Sequence, residues 1–97
     1  MYCKIHVAGA KTVLAACDAE LIGKTLKFGD VDFHISEGFY KGKMVSEKEL
    51  SKLLDEHNNI NLVGEKVVGV ALKKDLISER AIIKIEGIPH VQIYRLI

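Results

Sequence analysis

Polar and aromatic side chains suited to ligand binding lie on one side of the last predicted strand, within the segment GIPHVQIYRLI. His90, Gln92 and Tyr94 share that side because the side chains of a strand alternate between its two faces. Val91 and Ile93 fall on the other side. Histidine and tyrosine rings stack on unpaired bases, and a glutamine amide hydrogen-bonds to a base edge. This pattern suggests a surface for single-stranded RNA.

The same alternation places further polar residues opposite the apolar side of the other predicted strands. They are Tyr2, Lys4 and His6 in the first strand, His34 in the third, and Lys84 and Glu86 in the fourth. If helices cover the apolar side, all of these residues lie on the open face of one sheet. The alternative is a solvated face without function, because antiparallel sheets commonly expose one polar side to water.

The segment GFYKGK adds an aromatic and basic signal between two glycines. Tyr40 is followed closely by Lys41 and Lys43, as in a flexible tip that contacts RNA or a protein partner. In the alternative interpretation, Phe39 and Tyr40 simply hold this loop against the edge of the sheet.

A metal site is a further interpretation of the histidines. His6, His34 and His90 are side chains that suit zinc, but they lack the short spacings of metal-binding motifs. Nothing in the sequence places their strands side by side. We therefore expect no bound metal and no cofactor.

An enzymatic interpretation needs Cys17, Glu65 and His90 to meet in a cleft as nucleophile, carboxylate and base. Simpler roles account for the first two, because an apolar strand favours a buried thiol and a helix N-terminus favours a carboxylate. The segments GEKVVG and KFGD lack the spacing of a phosphate-binding loop, which argues against a nucleotide cofactor. Whether the protein is an enzyme stays open, and we lean towards a non-catalytic protein.

Length and charge limit the possible functions. The 97 residues fit one domain over residues 1–97 with a single modest core. A formal net charge of +1 gives no overall positive potential that would attract DNA or an anionic membrane, so nucleic-acid binding would need a local patch of positive charge.

The segment MYCKIHVAG is too polar for a signal peptide or a membrane span, so we expect a cytoplasmic protein that does not bind membranes. Cys3 and Cys17 are expected to remain thiols there.

Two hairpins frame the predicted sheet. CKIHV and TVLAAC form the first, and AIIKIEG and HVQIYRL form the last, which turns at Gly87, Ile88 and Pro89. VDFHIS is a half-buried strand between them. Hairpins at both ends of the chain indicate a largely antiparallel sheet.

Three helical segments complete the predicted fold. Asp18 caps a short turn in DAELIGK, and Ser46 with Glu49 forms a capping box at the start of the second helix. The third helix runs from about Leu62 to Lys74 and contains GEKVVGVAL, which is a poor helix former without tertiary packing. The result is an α+β two-layer sandwich, with a mostly antiparallel sheet and two main helices on one face.

Three separated blocks of the sequence carry a resemblance to a known family. They are LAACDAELIGKTLKFGDVDFHISEGFYKGKMVS, NLVGEKVVGVAL and GIPHVQ, in this order over nearly the whole chain. Together they resemble the small archaeal family known as domain of unknown function 424. The resemblance implies an archaeal cytosolic protein with a two-layer α/β fold, and it brings no reaction, cofactor or substrate. The blocks include Asp18, Gly23, Gly29, Phe39, Tyr40, Gly42, Asn61, Gly64, Glu65, Pro89, His90 and Gln92.

The leading functional hypothesis is a non-catalytic cytosolic binding module for RNA or a ribonucleoprotein. The alternative is a protein–protein or homodimeric interaction module that uses the same face or a sheet edge. A small hydrolase or metalloenzyme is less favoured. The candidate binding residues are His6, His34, Tyr40, Lys41, Lys43, Lys84, His90, Gln92 and Tyr94.

The capping box gives a test of the helix boundary. We expect Ser46→Ala to remove one acceptor from the first turn of the second helix and to lower the free energy of unfolding by about 1 kcal/mol. The measurement is urea denaturation followed by circular dichroism. An unchanged free energy of unfolding would mean that the capping box is misplaced.

Overall fold

A computed structural model describes residues 1–96 of the chain. The strands are β1 (Tyr2–Ala8), β2 (Lys11–Cys17), β3 (Thr25–Phe28), β4 (Val31–His34), β5 (Lys43–Met44), β6 (Asn59–Val63), β7 (Ile83–Ile85) and β8 (Ile88–Tyr94). The helices are α1 (Glu37–Tyr40), α2 (Glu47–Glu56) and α3 (Glu65–Lys73), with short 3₁₀ turns at Ala19–Leu21 and Glu79–Ala81. No helix within residues 1–96 is long and apolar enough to cross a membrane.

Six strands form one sheet in the order β5-β1-β2-β6-β8-β7, and β3 with β4 forms a separate hairpin. Neighbouring strands of the sheet are antiparallel except for the central pair, β2 and β6, which is parallel. This confirms the α+β class with a mostly antiparallel sheet. The parallel pair requires a crossover, and the chain between its strands includes the hairpin, α1, β5 and α2.

The two main helices pack on one face of the sheet, as the sequence predicts. Leu50 and Leu54 of α2 are fully buried, and they share one core cluster with Val67 and Ala71 of α3. From the sheet, this core takes Cys3, Leu14, Ala16, Ile60, Leu62, Val91 and Ile93. These residues lie at alternate positions of their strands, so every second side chain of β2, β6 and β8 meets the helices.

The opposite face of the sheet is not bare, which corrects the prediction of an open polar face. The hairpin β3–β4, the first 3₁₀ turn and α1 cover part of it and form a second core. That core joins Ala15, Cys17, Val63 and Ile85 of the sheet to Leu21, Leu26, Ile35 and Tyr40 of the covering elements. The physical reason lies in the central strands, since TVLAAC and NINLV carry apolar residues on both faces.

The end of strand β6 occupies residues that the sequence predicts to be the start of the third helix. Leu62 and Val63 are extended, and the helix begins only at Glu65. Gly64 separates the two elements with φ +121°, and a Cβ at this position would collide with the carboxyl group of Asp18. A glycine is therefore required where β6 turns into α3.

The carboxylate of Asp18 caps α3 rather than its own turn, another correction of the sequence prediction. No side-chain cap hydrogen bond from Asp18 reaches the 3₁₀ turn that follows it. Instead, Oδ2 accepts from the backbone N–H of Lys66 at 3.0 Å and Oδ1 accepts from that of Val67 at 3.0 Å. Asp18 is buried, so these bonds to the helix N-terminus replace its hydration.

The last hairpin turns one residue earlier than expected. Glu86 and Gly87 hold positive φ values of 51° and 79°, and β8 already begins at Ile88. Pro89 is a buried strand residue whose carbonyl accepts from the N–H of Gly64 at 2.9 Å. Proline has no N–H, but no hydrogen bond between strands is lost here. The pairing of β6 with β8 ends at His90, which pairs with Val63, so Pro89 lies just beyond it.

The capping box at the start of α2 is confirmed. The hydroxyl of Ser46 accepts from the N–H of Glu49 at 3.1 Å, and the carboxylate of Glu49 accepts from the N–H of Ser46 at 3.0 Å. These bonds stabilise the charged carboxylate and lower the pKa of Glu49.

We expect Asp18→Ala to destabilise the protein by about 2 kcal/mol, because it leaves two N–H groups of α3 without their charged acceptor. Asp18→Asn, which keeps one acceptor oxygen, should lower the free energy of unfolding by a smaller amount. Thermal and urea unfolding of both variants measure these changes. A loss for Asp18→Ala no larger than that for Ser46→Ala would contradict the assigned role of Asp18.

Candidate functional site

Beside the covering elements, the second face carries a row of three amides next to a tyrosine, of which Asn59 and Asn61 are half-buried. We call Asn59, Asn61, Gln92 and Tyr94 the amide–tyrosine strip. Asn59 pairs with Tyr94 and Asn61 pairs with Gln92 across the β6–β8 ladder, so the four side chains form one patch. Gln92 is exposed, and the side chain of Tyr94 keeps 67% of its surface accessible.

The orientation of the Asn61 amide is set by Tyr40. The Tyr40 hydroxyl donates to Oδ1 of Asn61 at 2.5 Å. Burial raises the pKa of Tyr40, so the hydroxyl stays protonated and acts as a donor. One acceptor position of the Asn61 oxygen is therefore used, and the amide N–H groups of Asn61 make none of the hydrogen bonds described for residues 1–96.

A cavity of about 300 Å³ adjoins the strip at the end of the sheet where β2 and β6 begin and β8 ends. Two strip residues, Asn59 and Tyr94, line this cavity, and Lys11 supplies an exposed ammonium group. Its volume lies at the lower end of the range for small-ligand sites. The remaining lining residues are Ala10, Thr12, Glu56, His57, Asn58, Arg95 and Leu96.

A second positive charge at this cavity is held in place by α2. The guanidinium of Arg95 donates to the carbonyl of Leu54 at 2.7 Å and also to that of His57. It thereby satisfies free carbonyl groups at the C-terminal end of the helix. Arg95 therefore has a structural role, and its charge still contributes to the potential of the cavity.

The polar residues of β1 dock α1 onto the sheet instead of facing solvent. His6 donates from Nε2 to the carbonyl of Phe39 at 2.8 Å, and the two rings stack with centroids 4.7 Å apart. Lys4 donates from Nζ to the carbonyl of Gly38 at 2.9 Å. These side chains are only partly accessible, and the strand β2 separates them from the strip.

His90 lies beneath the β3–β4 hairpin rather than in the strip. Its ring centroid is 4.9 Å from that of Phe33, and Nδ1 donates to the carbonyl of Leu62 at 2.9 Å. Burial lowers the pKa of His90, although the bond to Leu62 opposes this effect. His90 is therefore a neutral, half-buried side chain at pH 7, and it does not supply an exposed stacking ring.

Several other candidate residues lie away from the strip. Lys84 pairs with Pro89 and lines a cavity on the helix side of the sheet, because Ile83 and Ile85 face the hairpin side. His34 belongs to the separate hairpin, where its Nδ1 shares a hydrogen bond of 2.8 Å with the hydroxyl of Thr25.

The aromatic and basic segment around Tyr40 is a short helix followed by an edge strand. Tyr40 is buried, which supports the interpretation that its ring holds this segment against the sheet. Lys41 lies over the ring of Tyr2 with Nζ 5.8 Å from the centroid, and Lys43 lies 3.9 Å from a carboxylate oxygen of Glu49. The structure thus brings only Gln92 and Tyr94 of the nine candidate residues together as an exposed pair.

The turn after β7 also corrects the predicted face. The carboxylate of Glu86 accepts from the backbone N–H of Lys27 at 2.5 Å. This bond ties the β3–β4 hairpin to the main sheet. Glu86 therefore helps to cover the second face and does not form part of an open surface.

The residues of the enzymatic interpretation do not form a catalytic group. Val63 lies between Cys17 and His90 in the row of paired strand residues. Burial and the neighbouring Asp18 raise the pKa of the Cys17 thiol to about 12, so almost no thiolate forms near neutral pH. Within residues 1–96, no group of three or more His, Cys, Asp and Glu side chains is placed to hold a metal ion.

Sequence reasoning missed the two asparagines of the strip. Asn59 and Asn61 precede the predicted third helix and are not predicted to lie in a strand, yet the segment NINLV alternates polar and apolar residues over its first four positions. That alternation is the signal of a half-buried strand. It is short enough to be hidden by the adjoining helical pattern of GEKVVGVAL.

The buried imidazole of His90 makes a pH-dependent contribution to stability. Because folding lowers its pKa below the ordinary value of about 6.5, the unfolded chain binds this proton more tightly. The contribution is complete above the ordinary pKa and is lost as the pH falls through the folded pKa. We expect the free energy of unfolding to decrease more steeply between pH 7 and pH 5 in the parent than in His90→Gln. Equal slopes in urea titrations would contradict this.

Comparisons with known proteins give a family but no activity. The family model described as "Protein of unknown function (DUF424)" matches residues 5–96. The crystal structure of an uncharacterized conserved protein from Methanopyrus kandleri is similar with a TM-score of 0.79 and 33% identity, covering 99% of this chain and 94% of that one. No functionally curated protein matches the sequence. The chain belongs to the DUF424 family of proteins of unknown function.

Proposed function

We propose that this protein is a non-catalytic cytoplasmic module that binds single-stranded RNA through the amide–tyrosine strip and the adjoining cavity. The observation that carries the proposal is the exposed ring of Tyr94 next to three in-register amides. Aromatic rings on a sheet surface bind unpaired bases by stacking, and amides hydrogen-bond to base edges.

The chemistry of the strip exceeds what a solvated face requires. Serine, threonine or lysine would satisfy water equally well, whereas Tyr94 exposes a large apolar ring. Stacking of one base on such a ring contributes roughly 1–3 kcal/mol. The amide N–H groups of Asn61 and the exposed amide of Gln92 lie on the neighbouring positions of the two strands, within reach of the same base.

The electrostatics favour weak binding of a short segment. Lys11 is the exposed cation of the cavity, and the guanidinium of Arg95 adds a fixed positive charge nearby. From Asn59 to Asn61 the strip extends only about 7 Å along β6, which accommodates one or two nucleotides. With few phosphate contacts and a formal net charge of +1, we expect affinity that falls with salt but with a shallow slope.

The test is a fluorescence-anisotropy titration with a labelled eight-nucleotide RNA of mixed sequence at low salt. We expect Gln92→Thr combined with Tyr94→Thr to weaken binding by about tenfold, because the stacking ring and one amide are lost. His90 stays unchanged, since its half-buried ring supports the hairpin. The matched control is Phe28→Thr, which removes another exposed aromatic ring at the tip of the hairpin.

The outcomes separate the proposal from its alternatives. Equal binding by the parent and the double variant, with intact circular dichroism for both, would rule out the strip as the RNA site. No binding by the parent at low salt would remove the RNA proposal altogether. An equal loss in the Phe28→Thr control would assign the effect to the hairpin tip instead.

A further inference from the structure

The outer edge of β1 is open over most of its length. β5 pairs with β1 only at Tyr2 and Cys3. The edge from Lys4 to Ala8 has no neighbouring strand in the sheet order. Unpaired strand edges are templates for another strand, and natural proteins commonly protect them with charges, prolines or bulges.

The backbone groups at this edge belong to Ile5 and Val7. The N–H and C=O groups of a strand residue point to one side and alternate along the chain, and the carbonyl of Met1 accepts from Val45 N–H on the β5 side. The odd-numbered residues of β1 therefore point outward. None of the hydrogen bonds described for residues 1–96 engages the outward groups of Ile5 or Val7.

The side chains at the edge are apolar on the helix face. Ile5 is 44% exposed and Val7 is 71% exposed. Ile5 also lines a cavity of about 330 Å³ together with Cys3 and Leu53, so the exposed residues continue a partly buried apolar surface. Lys43 of β5 lines the same cavity, and its ammonium group lies 3.9 Å from a carboxylate oxygen of Glu49. Such a surface at a free edge favours a partner strand with apolar side chains on the same face.

The strand β1 itself carries none of the usual protections between Lys4 and Ala8. The pairing of β1 with β2 is continuous from Tyr2 to Ala8, without a bulge, and β1 contains no proline. The one lysine at the open edge, Lys4, turns its ammonium group to the other face, where it binds the carbonyl of Gly38. No charged side chain accompanies Ile5 and Val7 on the helix face of the strand.

We propose that this edge binds a second copy of the same chain, with the two β1 strands antiparallel about a two-fold axis at His6. Ile5 then pairs with Val7 of the other copy, and Val7 pairs with Ile5. The four outward N–H and C=O groups of each copy exchange four hydrogen bonds in total. The six-stranded sheets of the two copies become one continuous sheet. The interface is isologous, because both copies contribute the same residues.

Two constraints select this register. A register that pairs Ile5 with Ile5 of the other copy would place Val7 opposite Cys3 of the other copy. The outer edge of Cys3 is already paired with β5. A register that pairs Val7 with Val7 of the other copy would place Ile5 opposite Gly9 of the other copy, a turn residue outside β1. The register about His6 places Lys4 opposite Ala8, so the two Lys4 side chains do not face each other.

The size of the contact predicts its strength. One short strand pair buries less area than the roughly 1,200 Å² that marks the lower end of stable interfaces. We therefore expect dimers that dissociate in the micromolar range or above. The contact uses β1, while the strip lies on β6 and β8, so this inference does not depend on RNA binding.

The first experiment is light scattering of the parent over a concentration series from 10 μM to 1 mM. We expect the average mass to rise towards that of a dimer. Val7→Lys should increase the dissociation constant at least about tenfold, because it adds charge and removes apolar contact at the edge. Val31→Lys, which changes another exposed valine at the tip of the hairpin, is the matched control and should dimerise like the parent.

The second experiment tests the register with single cysteines and oxidised glutathione. His6→Cys should give a disulfide-linked dimer, since this position faces itself across the two-fold axis. Ala8→Cys lies on the same side of β1 but opposite Lys4, so it should not. Native Cys3 and Cys17 are buried, and the parent provides the background. A parent that stays monomeric to 1 mM, a Val7→Lys variant that still dimerises, or cross-linking through Ala8→Cys alone would overturn the proposal.

Discussion

The carboxylate of Asp18 joins the end of β2 to the start of α3, across 48 and 49 residues of sequence. Asp18 also donates its backbone N–H to the carbonyl of Val63 at 3.1 Å, which continues the parallel pairing of β2 with β6. Gly64 makes room for this arrangement, because any side chain there would meet the carboxyl group. The position of β6 in the centre of the sheet therefore depends on this contact.

The position of β6 determines both cores and the candidate site. Ile60 and Leu62 face the helices, whereas Asn61 and Val63 face the hairpin and α1. Val63 is covered, whereas Asn61 lies at the border of the covering layer, where the hydroxyl of Tyr40 binds its amide oxygen. Asn59 and Asn61 pair with Tyr94 and Gln92 of β8, so the polar strip begins where the small covering layer ends.

The two surfaces proposed for binding differ in their chemistry. The strip offers side-chain amides and one ring on the broad face of the sheet, which suits a ligand that is recognised by stacking and hydrogen bonds. The β1 edge offers backbone N–H and C=O groups with two apolar side chains, which suits another strand. The strand β2 lies between the two surfaces in the sheet, and the ring of His6, next to the edge residues Ile5 and Val7, packs on Phe39 of α1.

Elements whose signals are local can be predicted from the sequence alone. The capping box of Ser46 and Glu49, the alternation of β8 and the hairpin of β1 and β2 each follow from residues close together in the chain, and the structure confirms them. Of the site, Gln92 and Tyr94 were predicted because strand alternation alone assigns them to one face. The partner of Asp18, the burial of Tyr40 and the side of the sheet on which Lys84 lies could not be predicted in this way. These depend on contacts between distant segments, and a residue pattern specifies which positions share a face but not which element covers that face.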